Sequence, residues 1–184
     1  MRHETVLSTR RVYDGRVINL RVDRVRTPTG IETRREIVEH HGAVAIVPID
    51  DEGRVWLIRQ YRHAAGRVMI EIPAGTLEPG EDPLAGAARE LAEETGCTAV
   101  RLERIGGIYT SPGFCTEYIH LFVANGLIHG AAHPEDDEQI WVEPTSWDEA
   151  MRRVRMGEIE DAKSVSALLL YASILAKASK PSQG

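Results

Sequence analysis

The chain has 184 residues and a formal net charge of −6, with 42% hydrophobic and 27% charged residues. Such a length suits one domain with a small extension, and the composition is that of a folded globular protein, not a disordered one. The negative balance speaks against a surface built for nucleic acid, and no apolar run approaches the ~18 residues of a membrane span, so neither is an expected partner.

Met1-Arg2-His3-Glu4 leads into no apolar block, which predicts no secretory leader and a cytoplasmic location. Residues 1–41 read as an amino-terminal antiparallel β segment. Val17 to Val25 alternates apolar and polar residues at the strand period, Thr27-Pro28-Thr29-Gly30 is a turn, and Thr33 to Glu39 is a further strand. Two or three strands with so few large apolar residues would not stand alone. They need the main body or a second subunit to lie on.

Residues 42–178 form the main domain. Ala43 to Ile49 is a buried strand by its continuous apolar run. Asp50-Asp51-Glu52-Gly53 turns the chain into Val55 to Ile58, predicting a hairpin. Val68 to Ile72 is a strand that Pro73-Ala74-Gly75 ends. A helix then starts at the cap Asp82, with Pro83 in the first helical position, and stops at Gly96; Leu84, Ala88, Leu91 and Thr95 mark its expected inner face. Strands follow at about 100–109, 118–124 and 139–143. Ser146 to Glu149 is a capping box for a helix ending at Gly157, and a last helix covers about 163–177 with Val165, Leu168, Leu169 and Ile174 apolar. Residues 179–184 read as a frayed tail. Strands and helices mix without strict alternation, which predicts an α/β or α+β fold with a mixed sheet. Cys97 and Cys115 form no CxxC pair and read as reduced, partly buried residues.

The helix after Asp82 carries Glu90, Glu93 and Glu94 in its last two turns. Spacings of three and four set like charges side by side, and the helix dipole disfavours anions there. Two local rules broken together mark a functional site. The chemistry that wants such a cluster is a hard divalent cation such as Mg²⁺, which bridges carboxylates to substrate phosphates. The competing reading is a solvated acidic face on a surface helix.

Gly75, five residues, Glu81, seven residues, then Arg89-Glu90-Leu91-Ala92-Glu93-Glu94-Thr95-Gly96-Cys97 resembles the Nudix box, G-x5-E-x7-R-E-U-x-E-E-x-G-U with U aliphatic. Cys97 stands at an aliphatic position; every fixed glycine and polar position is matched. Arg59-Gln60-Tyr61-Arg62, Glu71-Ile72-Pro73-Ala74-Gly75 and Ser111-Pro112-Gly113-Phe114 are similar to the ADP-ribose pyrophosphatase branch, for which Pro112 is the marker. The resemblance implies a Nudix-type α/β/α sandwich around a mixed sheet, and an amino-terminal β segment exchanged within a homodimer. It implies Mg²⁺-dependent cleavage (Mn²⁺ as a substitute) of ADP-ribose to AMP and ribose 5-phosphate. Carried over by position, Glu90, Glu94 and the Ala74 carbonyl are metal ligands. Glu93 is a third ligand or positions the attacking water, and Arg89 orients the glutamates. Glu138, in the acidic loop 133–139, is both general base and metal ligand, with Asp136, Glu135 and Glu93 as other candidates for the base. Arg62 would bind phosphate; Arg59 is a further substrate-binding candidate, or else an arginine that ends a strand at the surface; Arg35 and Glu36 would reach the adenine or ribose of a partner subunit. The alternative substrates are UDP- or GDP-sugars. The rival from another class is a nucleotide-sugar sensor that binds without cleaving.

Overall fold

The structure is a computed structural model that describes residues 3–130 and 139–178. The chain divides into two compact units, one formed by residues up to Gly42 with Tyr109–Tyr118, the other by the remainder.

In the first unit, β1 (Thr5–Asp14), β2 (Ile18–Arg26) and β3 (Glu32–His40) make an antiparallel sheet in that order. The β1–β2 register shifts between Val6 and Ser8 and again between Arg11 and Tyr13. These irregularities break the alternation of β1, which is why no strand period marks it in the sequence. The turn after β2 closes as expected, with the Gly30 N–H donating to the Thr27 carbonyl at 2.9 Å and Gly30 at φ +88°. The free edge of β3 takes up the segment 109–118: the Val38 N–H donates to Phe114 O at 2.7 Å and the Thr116 N–H to Val38 O at 2.9 Å. Val25 is the buried apolar side chain here, whereas Val6, Val12, Tyr13, Val17, Ile18 and Ile31 are exposed.

The second unit holds β4 (Ala43–Ile49), β5 (Arg54–Arg62), β6 (Arg67–Glu71), β7 (Ala74–Thr76), β8 (Cys97–Tyr109), β9 (Tyr118–His129) and β10 (Ile140–Ser146), with α1 (Pro83–Thr95), α2 (Trp147–Arg155) and α3 (Ala162–Ala178). The sheet order is β10-β5-β4-β9-β8, with β6 on β5 and β7 on β4. It is mixed: β4 runs parallel to β9 and antiparallel to β5 and β7. Strand alternation sends Val44, Ile46, Phe122 and Ala124 to one face, where they pack with Ala87 and Leu91 of α1. Ala45, Val47, Leu57, Leu121 and Val123 go to the other, with Ala150 of α2 and Ala167 and Leu168 of α3. This is an α/β/α sandwich.

Three local expectations change. The β4–β5 hairpin pairs at one rung, Ile49 with Val55, and the start of that edge of β4, Ala43–Ala45, pairs with β7 instead. Ala74 and Gly75 do not merely end a strand; with Thr76 they form β7. The buried face of α1 is Gly86, Ala87, Glu90, Leu91, Glu94 and Thr95, while Leu84 and Ala88 face outward. On α3, Leu168 is buried, whereas Leu169 and Ile174 are exposed. The expected tail 179–184 lies outside the described residues.

Candidate active site

The capping of α1 sets the geometry. The Asp82 carboxylate accepts from the Leu84 and Ala85 N–H groups at 3.0 and 3.2 Å, and Gly96 closes the helix in the left-handed region. So placed, the last turns of α1 lie over β7. A Cβ on Gly75 would stand 2.0 Å from the Glu90 carboxyl carbon, so only glycine leaves room for that carboxylate. The Ala74 N–H donates to Glu94 Oε2 at 2.8 Å. Glu90 is 9% exposed and Glu94 3%. These two carboxylates do not belong to a solvated face, and burying them is costly without compensation.

Arg89 supplies compensation. Its Nε and Nη2 grip both oxygens of Glu81 at 2.9 Å each, and Nη1 donates to Glu90 at 2.7 Å and Glu93 at 2.9 Å. Nη2 also reaches the Thr76 carbonyl at 3.3 Å. The bidentate fork to Glu81 is the strong form of this contact. It holds the Glu81 carboxyl below the ordinary glutamate range, and its acidic partners push the Arg89 guanidinium well above its usual value. Glu93 remains half-exposed.

Among the described residues, no three His, Cys, Asp or Glu side chains converge as a closed metal cage. A hard divalent cation of the Mg²⁺ type does not need one, because it binds through one or two carboxylates and keeps water and phosphate ligands. Glu90 and Glu94, one helical turn apart against the Ala74–Gly75 backbone, offer that oxygen-rich donor set, and the missing Cβ of Gly75 leaves the space.

The two arginines of the 59–62 stretch part company. Arg62 lies within electrostatic reach of Glu94 but gives its Nε and Nη2 to Glu71, at 3.0 and 2.7 Å. Arg59 has the opposite strand parity and pairs at 2.5 Å with Glu143, which Arg153 of α2 also binds. It stands on the α2 side of the sheet, not with the α1 glutamates. Sequence reasoning missed Glu71 and Lys163. Glu71 is 1% exposed, and Lys163 Nζ donates to it at 2.5 Å. Burial alone pushes the Glu71 carboxyl up; Arg62 and Lys163 overcome this and hold it below the ordinary range. The available signal was an acidic residue set between Ile70 and Ile72 in an apolar strand.

Within the amino-terminal unit, Arg35 and Glu36 line a groove of about 570 Å³ with Arg34, Leu20, Val38 and Phe114. Arg35 is tied to Glu4 at 2.6 Å, and Pro112 sits exposed in the turn from Ser111 to Cys115. Glu138, Asp136 and Glu135 lie outside the described residues. No described helix is long and apolar enough to cross a membrane, and Cys97 and Cys115 are free thiols.

Comparison with known proteins adds to this geometry. Over 167 residues the chain is 42% identical to the methanol dehydrogenase activator of Bacillus methanolicus and 40% identical to an ADP-ribose pyrophosphatase of Bacillus subtilis, covering 90% of both chains in each case. A solved structure described as an ADP compounds hydrolase shares the fold, with a TM-score of 0.87 over 98% of each chain at 24% identity. Residues 4–38 match the nucleoside diphosphate sugar hydrolase N-terminal domain. Residues 39–166, which include the glycine, the arginine hub and the buried glutamates, match the NUDIX domain, and the chain belongs to that family.

Proposed function

We propose that this protein hydrolyses the diphosphate of ADP-ribose to AMP and ribose 5-phosphate, with Mg²⁺ as its metal and Mn²⁺ as a substitute. Water supplies the oxygen that one phosphorus gains as its bridging bond breaks. The observation that carries the reading is the pair of buried carboxylates, Glu90 and Glu94, held against Gly75 and Ala74. A divalent cation there would offset diphosphate charge and make water a better nucleophile. Glu90, Glu94 and the Ala74 carbonyl are its ligands in this reading, and Arg89 keeps Glu90 and Glu93 oriented. Arg62 binds phosphate, and Arg59 supports that end of β5. Glu138 is the base and a further ligand, with Asp136, Glu135 and Glu93 as the other candidates. Arg35 and Glu36 reach the adenine or ribose bound by a partner subunit, and Pro112 is a further substrate-binding residue in this reading.

The Bacillus subtilis relative supports the choice of ADP-ribose, and the amino-terminal match supports nucleoside diphosphate sugars as the wider class. We also propose a homodimer in which residues 1–41 exchange between subunits, since Val6, Val12, Tyr13, Val17, Ile18 and Ile31 of that segment are exposed. Light scattering at micromolar concentration should give twice the chain mass; a monodisperse monomer refutes the exchange. A second reading, activation of another enzyme, draws on the likeness to the Bacillus methanolicus protein.

Product chromatography tests the main reading. ADP-ribose and other nucleoside diphosphate sugars are incubated with the protein, with and without Mg²⁺. AMP released fastest from ADP-ribose, and only with metal, is the expected result. Faster cleavage of a UDP- or GDP-sugar replaces the substrate while keeping the chemistry, and binding without cleavage of any overturns the enzyme in favour of a sensor.

A further inference from the structure

We propose that Glu117 is a positioning residue for nucleotide binding: its carboxylate locks the turn 110–117 onto β3 and so fixes Phe114 in the wall of the groove that Arg35 and Glu36 line. This rests on the reading above, in which Arg35 and Glu36 meet the nucleoside end of the substrate. The groove draws on two stretches far apart in the chain. One is β2 and β3, through Leu20, Arg35, Glu36 and Val38, and the other is the turn, through Gly113 and Phe114. Its shape therefore depends on how the turn is held. Among the described residues, both backbone bonds between turn and strand fall on Val38: its N–H donates to Phe114 O at 2.7 Å, and its carbonyl accepts from the Thr116 N–H at 2.9 Å. Attachment through one residue of a strand is a pivot. A second anchor is needed to keep the turn in one orientation.

That anchor lies two residues along β3, about 7 Å from the pivot. The His40 N–H donates to Thr116 Oγ1 at 3.0 Å, and Thr116 Oγ1 donates to the His40 carbonyl at 3.4 Å. The His40 ring accepts from the Gly42 N–H at Nδ1, at 3.0 Å, which puts the proton of a neutral ring on Nε2. Nε2 faces Glu117 Oε1 at 3.7 Å. The other oxygen of that carboxylate accepts from Thr110 Oγ1 at 2.8 Å, and the Thr110 N–H donates to the Glu117 carbonyl at 3.3 Å. Glu117 thus closes the base of the turn and meets β3 with one side chain. The His40 side chain is 8% exposed, so water does not readily replace a partner lost there. Glu117, His40 and Thr110 are not among the residues that line the groove, so substituting them removes none of its walls. Such a change acts on a bound nucleotide by letting Phe114 move.

The test uses the full chain and measures KM and kcat for AMP formation from ADP-ribose with Mg²⁺, and the Kd of ADP-ribose in EDTA by calorimetry. Glu117→Ala is expected to raise KM and Kd about tenfold, the scale of one hydrogen bond to an ionised group, with kcat within about twofold of wild type. Hydrogen exchange should rise across residues 109–118 and stay unchanged in β4 and β9. Glu117→Gln keeps an oxygen for His40 and an amide for Thr110, so its KM should stay within about threefold of wild type. Thr110→Val removes one of the two partners and should raise KM about threefold. Circular dichroism checks folding; if Glu117→Ala does not fold, Thr110→Val carries the test. An unchanged KM in whichever of these two folds overturns the proposal. So does a Glu117→Gln that fails as fully as Glu117→Ala, because the charge and not the anchoring would then matter, and so does a fall in kcat as large as the rise in KM. Glu36→Ala is the control. If it leaves KM and Kd unchanged, the nucleoside reading of the groove has failed and the proposal with it; if it raises both while Glu117→Ala does not, only the present proposal has failed.

Discussion

The two faces of the seven-stranded sheet use burial differently. Toward α2 and α3, the middle of the interior is apolar, where Val47, Leu57, Leu121 and Val123 meet Ala150, Ala167 and Leu168, and charge enters at the first turn of α3, where Lys163 binds the buried Glu71. Toward α1, the apolar patch around Ile46, Phe122 and Leu91 gives way to buried carboxylates, Glu90 and Glu94, at the end nearest β7. Apolar burial stabilises the fold at about 25 cal/mol per Å², whereas a buried carboxylate must be offset by hydrogen bonds and cations. One sheet thus carries both kinds of burial: apolar contacts dominate against α2 and the middle of α3, and buried carboxylates stand against the last turns of α1.

Substitutions on each face separate the two kinds of burial. The largest effect is expected from Glu94→Gln: turnover falls on the order of 1,000-fold, about 4 kcal/mol in the barrier, while the melting temperature stays within a few degrees. AMP release and a thermal melt on the same sample check it; near-normal turnover in a folded, metal-saturated variant would remove Glu94 from the site. On the opposite face, Leu168→Ala should cost about 3 kcal/mol in urea unfolding and leave kcat unchanged at a temperature where the variant is folded. Loss of activity per folded molecule would mean that the two faces are not separable. Gly75→Ala probes the border. Its Cβ would meet the Glu90 carboxylate, so turnover should drop about 30-fold with little change in unfolding free energy. Equal loss of both would mark Gly75 as a folding residue. The smallest effect concerns acid. Glu71 is held below its ordinary value of 4.5, so its contribution to stability is present above that pH and lost as the pH falls through the lower folded value. The stability advantage of wild type over Glu71→Gln should therefore shrink below about pH 4.5. An advantage that stays constant down to about pH 3 would show that the carboxylate is not depressed.

The sequence carried the fold where period and capping agree. The Asp82 cap, Pro83 and Gly96 delimit α1 to the residue, and the apolar run of β4 marks the centre of the sheet. It misled where a polar group is buried. Leu84 and Ala88 answer to hydrophobicity, but α1 turns Glu90 and Glu94 inward because Gly75 leaves room for a carboxylate. That fit depends on a strand well upstream in the chain, which helical periodicity does not register. The Nudix pattern named the glutamates without saying that they are buried. Glu71 and Lys163 stayed hidden because their partnership spans 92 positions and no local pattern links them. β7 was missed because three residues after a proline show no period.

Lys163 also bears on how the protein can be handled. The chain has lysines at 163, 177 and 180, so arginine supplies nearly all of its 22 basic residues. Lys163 is engaged by two carboxylates and its side chain is 14% exposed, whereas Lys177 is in the open near the end of α3. Amine-selective labels and surface-coupling chemistries will therefore favour the carboxyl-terminal end of α3 and spare the charge cluster around Glu71. The same scarcity makes lysine cross-linking a poor gauge of self-association, because β1, β2 and β3 contain no lysine for a linker to join.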